Sequence, residues 1–74
     1  MSVSYQKLFL LLSSRKISPT ELAVRAGFSG NILTRLRRNQ YISLESIEKI
    51  CIVLDCKVDD ILSFNAIDYI KGEN

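Results

Sequence analysis

The stretch PTELAVRAGFSGNILTRLRR, residues 19 to 38, decides the fold. Two short amphipathic helical patterns meet in it, and both turn apolar residues toward one core. Gly27 stands just past the first pattern, where a left-handed residue is wanted and glycine adopts that conformation without steric cost. Phe28 then enters the core directly ahead of Ser29, which caps the second pattern. The inward positions are Leu22, Ala23, Ala26, Leu33 and Leu36.

The flanking sequence predicts further helices. A helix over residues 4 to 15 follows from apolar residues at helical spacing. Ser18, Pro19 and Glu21 form a strong helix start with a capping box, and an apolar, serine, apolar staple recurs at three helix starts. Asn39 suits a left-handed end after the second pattern. We expect helix 4 at residues 44 to 54 and a short helix 5 at residues 58 to 63. The core face of helix 4 is predicted to be Leu44, Ile47, Ile50, Cys51 and Leu54. Ile52 and Val53 make this apolar face wider, and these two side chains are expected either to be buried against helix 1 or to contact a partner.

These patterns resemble the Cro-type, lambda-repressor-like (XRE) helix-turn-helix family, over roughly residues 5 to 64. The matching positions are Leu22-Ala23, Gly27, Phe28, Leu33 and Leu36. The resemblance implies an all-α, compact five-helix domain, which we assign to residues 1–64. Residues 65–74 then form a C-terminal tail that docks on its own core or on a second subunit. The local pattern at Phe64, Ile67, Tyr69 and Ile70 does not decide between a strand and a helical turn.

The net charge of +2 conceals an asymmetry. Residues 15 to 38 hold six basic side chains against one acid, whereas residues 39 to 74 hold three lysines against seven acids. A basic block around the two-helix unit is typical of a face that binds a polyanion, although a solvated basic surface looks the same.

The resemblance implies that the second helical pattern, residues 29 to 38, is a recognition helix that enters the DNA major groove. Its outward positions that contact bases are Asn31, Thr34 and Arg35: Arg35 suits a guanine, Asn31 an adenine, and Thr34 a thymine methyl or a phosphate. Gly30 permits close approach. The expected contacts to the DNA backbone are Ser29, Arg38, Arg37, Arg25, Thr20, Arg15 and Lys16.

Two positions depart from the family pattern. Pro19 occupies a place where many relatives carry a polar residue that holds a phosphate, and proline has no N–H to offer. Thr20 is the substitute. Ile32 is apolar where relatives are often polar, and either broadens the core contact or meets a thymine methyl.

Other classes of function have little support in the composition. The chain has no histidine, no glycine-rich phosphate loop and no arrangement of paired carboxylates with a domain large enough to form a pocket behind it. We therefore expect no enzyme, no small-molecule substrate, no cofactor and no metal. Cys51 and Cys56 fit neither a zinc site nor a CxxC pair and are expected to be small core residues. The longest apolar run is too short to cross a membrane and no leader pattern is present, so we expect a soluble, cytoplasmic protein.

The leading expectation is therefore a sequence-specific double-stranded DNA-binding regulator, a repressor of prokaryotic or phage type. The resemblance implies a homodimer, with the C-terminal half as its interface, on a pseudo-palindromic site with half-sites about 34 Å apart. The alternative is a protein-interaction module such as an antitoxin-like partner, which would use the same helices to cover another protein.

Overall fold

The computed structural model describes residues 2–65. Within that range the chain forms four α-helices, one turn of 3-10 helix and a two-stranded antiparallel sheet. The order is β1 (Val3–Ser4), α1 (Gln6–Ser14), α2 (Pro19–Ala26), α3 (Gly30–Arg37), α4 (Leu44–Leu54), the 3-10 turn (Val58–Asp60) and β2 (Ser63–Phe64).

The predicted fifth helix is wrong. Val58–Asp60 makes a single 3-10 turn, in which the Asp60 carboxylate accepts a hydrogen bond from the Lys57 N–H at 2.9 Å. The chain then extends, because β2 pairs with β1 in a register that sets Val3 opposite Phe64. The same pairing delays α1 to Gln6, two residues later than expected. The mostly helical architecture holds, with four helices in the described residues rather than five.

One apolar core lies between the helices. Its fully buried members come from every helix, from the residue before α1 and from the residue after the 3-10 turn: Tyr5, Leu8, Leu12, Leu22, Leu36, Ile50, Leu54 and Ile61. Helix α4 has the predicted bounds, but Leu44 is 78% exposed and does not join the core. Ile52 is also exposed, whereas Val53 packs against the core.

The four helices of the described range all end in the same left-handed motif. The residues with positive φ are Lys16, Gly27, Asn39 and Asp55. After each of them, the next N–H reaches back to a carbonyl five residues earlier, as Ile17 does to Leu12 at 2.9 Å and Cys56 does to Cys51 at 3.0 Å. These bonds satisfy carbonyls that a helix end leaves without partners. The predictions for Gly27 and Asn39 are confirmed.

The serine caps are confirmed at two of three helix starts. Ser18 accepts from the N–H of Glu21 at 3.0 Å, and Ser43 accepts from the N–H of Ser46 at 3.1 Å. Ser29 holds the extended backbone of a cap residue, but its side chain makes no capping bond. The predicted capping box at Ser18 is incomplete, because the Glu21 carboxylate accepts from Arg25 instead.

Candidate nucleic-acid interface

The turn between α2 and α3 is held by backbone hydrogen bonds. Gly27 has φ 73°, which directs the N–H of Phe28 onto the Ala23 carbonyl at 2.8 Å and its own N–H onto Val24 at 3.3 Å. Phe28 packs against the core, and Leu22 of α2 is fully buried. The turn therefore fixes α3 against α2 through backbone bonds on one side and apolar packing on the other.

Helix α3 divides cleanly into a core side and a solvent side. Leu36 is fully buried, while Ile32 and Leu33 are half-buried and pack against the core. The residues on the solvent side are all exposed: Ser29, Gly30, Asn31, Thr34, Arg35 and Arg38. No acidic residue occurs in Gly30–Arg37, so this exposed face is neutral or positive along its length.

Two of the three predicted base-contacting side chains already make intramolecular hydrogen bonds. The Thr34 hydroxyl donates to the Gly30 carbonyl at 3.2 Å, so its proton is occupied while its methyl group stays available. Arg35 Nη1 donates to the Tyr41 carbonyl at 3.4 Å, a long bond that leaves most guanidinium donors unused. Asn31 is exposed one turn before Arg35. The structure thus brings Asn31, Thr34 and Arg35 onto one surface.

The predicted backbone contacts are all exposed but differ in their partners. Arg25 pairs with Glu21 one turn earlier on α2, a surface pair of the kind that contributes about 0–1 kcal/mol. Arg37 and Arg38 end α3, and Thr20 lies in the first turn of α2. Lys16 is the left-handed residue after α1.

Arg15 lies in a different environment from the other cations. Its guanidinium donates to the carbonyl of Leu54, the last residue of α4. It also lines a cavity of about 610 Å³ together with Asp55, Asp59 and Asp60. The structure therefore ties Arg15 to the end of α4, among acidic residues, rather than grouping it with the arginines of α3.

Tyr41 is a residue beside the α3 face that sequence reasoning missed. Tyr41 is half-exposed, its carbonyl accepts a hydrogen bond from Arg35, and its hydroxyl lies 3.4 Å from the hydroxyl of Ser2. The one sequence feature that could have indicated Tyr41 is that it is an aromatic residue two positions after the left-handed Asn39. Asn39 itself accepts the N–H of Tyr5 at 3.0 Å, and Tyr5 donates its hydroxyl to the Gln40 carbonyl at 2.8 Å. The loop after α3 is thereby anchored to the start of α1.

The two cysteines are free and half-buried. Burial raises the pKa of the Cys56 thiol above its ordinary value, and the neighbouring Cys51 raises it further. Within residues 2–65, no group of histidine, cysteine, aspartate or glutamate side chains has the arrangement of a metal site. No helix in that range is long and apolar enough to cross a membrane.

Comparison with known families agrees with this geometry. Residues 7–66 match the model of the Cro/C1-type HTH DNA-binding domain. The chain belongs to this family. The predicted relationship is confirmed, and the match spans the α2–α3 unit and the helices that flank it.

A solved structure supports the same assignment. The chain is similar to the transcriptional regulator VanUg in its Form II crystal structure, with a TM-score of 0.82 and 35% sequence identity. The alignment covers 84% of this chain and 83% of that one. Among curated proteins, none matches this chain.

Proposed function

We propose that this Cro/C1-type domain is a sequence-specific transcriptional repressor of prokaryotic or phage type that reads double-stranded DNA with α3. The observation that carries the proposal is the exposed face of α3, where Asn31, Thr34 and Arg35 lie together on a helix without acidic residues. An α-helix fits the major groove, whose base edges distinguish all four base pairs. The similarity to a transcriptional regulator supports a regulatory role.

Each of these residues has a role that its chemistry suits. Arg35 carries enough unused donors for bidentate contact with a guanine, and Asn31 presents the donor and acceptor that an adenine edge requires. Thr34 keeps its hydroxyl proton on Gly30, so we assign its methyl group to a thymine methyl rather than its hydroxyl to a phosphate. Gly30 allows the helix start to approach the groove closely.

Phosphate contacts supply affinity without sequence information. We assign them to Ser29, whose hydroxyl is not used in capping, and to the exposed cations around the two helices. Arg25 can exchange its Glu21 partner for a phosphate, because an exposed pair of this kind is weak. We assign Arg15 instead to the hydrogen bond with the Leu54 carbonyl at the end of α4. The remaining members of the set are Thr20, Arg37, Arg38 and Lys16.

We further propose that the chain binds as a homodimer, in the cytoplasm, with the C-terminal half as the interface. One recognition helix contacts few base pairs, whereas two related by a two-fold axis read half-sites about one helical turn apart. Sedimentation with and without DNA tests this. A mass equal to one chain at micromolar protein in both states contradicts the dimer.

The test of function is selection of the purified protein on a random duplex DNA pool at physiological salt, followed by sequencing of the retained molecules. We expect a two-fold symmetric motif. Retention without any enriched motif would contradict sequence-specific reading and leave only a basic backbone-binding face. Absence of retention would favour the second candidate, a protein-interaction module, for which exposed apolar residues along α4 are the supporting feature.

A further inference from the structure

The loop between α3 and α4, residues 39–43, is hydrogen-bonded to Arg35 on one side and to Tyr5 on the other. The N–H of Gln40 donates to the Arg35 carbonyl at 2.9 Å, which folds the loop back over the end of α3. Arg35 Nη1 in turn donates to the Tyr41 carbonyl at 3.4 Å. Both the backbone and the side chain of Arg35 are therefore in contact with this loop.

Tyr5 attaches the loop to the interior of the domain. Its side chain is 1% exposed, and its hydroxyl donates to the Gln40 carbonyl at 2.8 Å. Its N–H donates to Asn39 Oδ1 at 3.0 Å. Asn39 has φ 54°, the left-handed conformation with which the chain leaves α3. Because Tyr5 belongs to the close-packed core, these two bonds connect the loop to a rigid part of the fold.

The contact with the loop restricts a side chain that is otherwise free to move. An arginine side chain has many rotamers, and ordering it on binding lowers the affinity. The bond to the Tyr41 carbonyl restricts Arg35 before DNA is present. It uses Nη1, so the edge formed by Nε and Nη2 keeps neighbouring donors for guanine O6 and N7.

This bond orients the guanidinium only as well as the loop carbonyl is itself held in place. Arg35 and Tyr41 are both exposed, and the bond between them is long. The bond from the Tyr5 hydroxyl to Gln40 is short and comes from a buried side chain. The rigidity of the contact with Arg35 therefore originates at Tyr5.

We propose that Tyr5 is a positioning residue for base reading: it fixes the loop whose Tyr41 carbonyl orients Arg35 toward a guanine. This inference rests on the proposed function, because it requires Arg35 to read a base. It makes the specificity of α3 depend on a buried side chain at the start of α1, which cannot itself touch DNA.

The first test uses the full chain without DNA. Nitrogen NMR relaxation of the Arg35 Nε–H group, at mildly acidic pH, measures how restricted the guanidinium is on the picosecond to nanosecond timescale. Tyr5→Phe removes the hydroxyl and keeps the aromatic ring and the backbone bond to Asn39. We expect this variant to lower the order parameter of Arg35 Nε–H. The exposed Arg37 at the end of α3 should keep its value.

The second test measures affinity for the selected operator and for its single-base variants. Arg35→Ala identifies the base pair that Arg35 reads and gives the full loss of preference there. Tyr5→Phe should reduce the preference at that same base pair by about 2- to 10-fold, the range expected when one rotamer-rich side chain is no longer held in advance. The slope of log affinity against log salt should stay unchanged, because no phosphate contact is removed.

Two further variants separate positioning from general stability. Ile50→Val removes one methyl group from a fully buried residue of α4 and lowers stability about as much as the loss of one hydrogen bond. It should leave the preference and the Arg35 order parameter unchanged. Asn39→Gly keeps the left-handed conformation but lacks the oxygen that accepts the Tyr5 N–H. It should lower both quantities, as Tyr5→Phe does.

Four results would overturn the proposal. An unchanged Arg35 order parameter in Tyr5→Phe would mean that the loop does not hold the guanidinium. Full preference in Tyr5→Phe, at the base pair where Arg35→Ala loses it, would contradict positioning and leave the proposed function intact. An equal loss of preference in Ile50→Val would assign the effect to stability. An unchanged preference in Arg35→Ala would refute base reading by Arg35 itself, and the role of Tyr5 with it.

Discussion

Among the six cations of residues 15 to 38, Arg15 is the one that bonds to the end of α4. Its guanidinium donates to the carbonyl of Leu54, where the helix leaves carbonyl groups without intrahelical partners. A cation at a helix C-terminus also interacts favourably with the helix dipole. The sequence predicted that Arg15 contacts the DNA backbone. It could not predict the bond to Leu54, because this contact joins residues 39 positions apart.

Arg15→Ala should therefore lower stability and leave DNA affinity unchanged. We expect a loss of about 1–2 kcal/mol in the free energy of unfolding, from the hydrogen bond and the dipole interaction together. Urea unfolding and fluorescence anisotropy with duplex DNA measure the two quantities. Arg37→Ala is the matched control and should show the opposite pattern, with weaker DNA binding at unchanged stability. A DNA-binding defect of equal size in both variants would contradict the assignment.

Two weakly acidic side chains, Tyr5 and Cys56, should make the stability of the domain fall at high pH. Burial raises the pKa of the Tyr5 phenol above its ordinary 10.0, and burial raises the pKa of the Cys56 thiol above its ordinary 9.0. Burial favours the neutral forms of both side chains, so their contribution to the free energy of unfolding is fully present at a pH below their ordinary pKa values. This contribution is lost as the pH rises through the higher pKa values of the folded protein.

Urea unfolding between pH 7 and pH 11 should show this decline. Tyr5→Phe removes one of the two groups, and the slope of stability against pH above pH 10 should become shallower. The same variant should lose about 1 kcal/mol at pH 7, since the hydroxyl donates to Gln40. An unchanged slope at high pH would show that Tyr5 does not cause the decline.

At the scale of secondary-structure elements, the turn before α3 depends on one backbone conformation. Gly27 has φ 73°, and a Cβ atom at this position would meet no other atom within 4 Å. The cost of a side chain is therefore backbone strain alone, about 1–2 kcal/mol for alanine and more for a β-branched residue. Gly30 has an ordinary φ and equally open surroundings.

Gly27→Ala should accordingly destabilise the domain by about 1–2 kcal/mol, and Gly27→Val by more. Gly30→Ala should leave stability unchanged or raise it by up to about 1 kcal/mol, because glycine disfavours a helix. Thermal or urea unfolding measures these changes. Gly30→Ala should also weaken DNA binding, since it adds a methyl group where close approach is proposed. Equal stability of the two alanine variants would contradict the role of Gly27.

The elements were predictable where a residue type carries its own signal. Ser18, Gly27 and the bounds of α4 follow from capping and turn chemistry. Lys16 and Asp55 also take left-handed conformations, but lysine carries no signal for that conformation, and aspartate is favoured at helix starts as well. The residues after them, Ile17 and Cys56, pack against the core, and that tertiary contact favours the conformation.

In the domain as a whole, the contacts that join the two ends of the described chain were not predicted from the sequence. Strands of two residues have too little alternation to be recognised, so the pairing of Val3 with Phe64 was not predictable. That pairing replaced the expected helix 5. The periodicity of α4 also predicted Leu44 to be in the core, whereas Leu44 is exposed. Periodicity shows which face of a helix a residue occupies, but it does not show how far along the helix the neighbouring elements cover that face.

The candidate DNA-binding face was predictable because it depends on local order. Once α3 was placed between Ser29 and Arg38, the helical period alone separated Leu33 and Leu36 from the outward residues. The partners of those outward residues were not predictable, since Tyr41 meets Arg35 only through the fold of the following loop.

The most direct test of base reading by α3 compares Arg35→Ala with Arg37→Ala on the selected operator and on its single-base variants, across a range of salt. Arg35→Ala should cost about 1–3 kcal/mol on the operator and abolish the preference at one position of each half-site. Arg37→Ala should weaken binding to every sequence equally and reduce the steepness of log affinity against log salt by about 0.9 for each phosphate that Arg37 neutralises. If both variants lower all affinities by one common factor, α3 does not read sequence through Arg35.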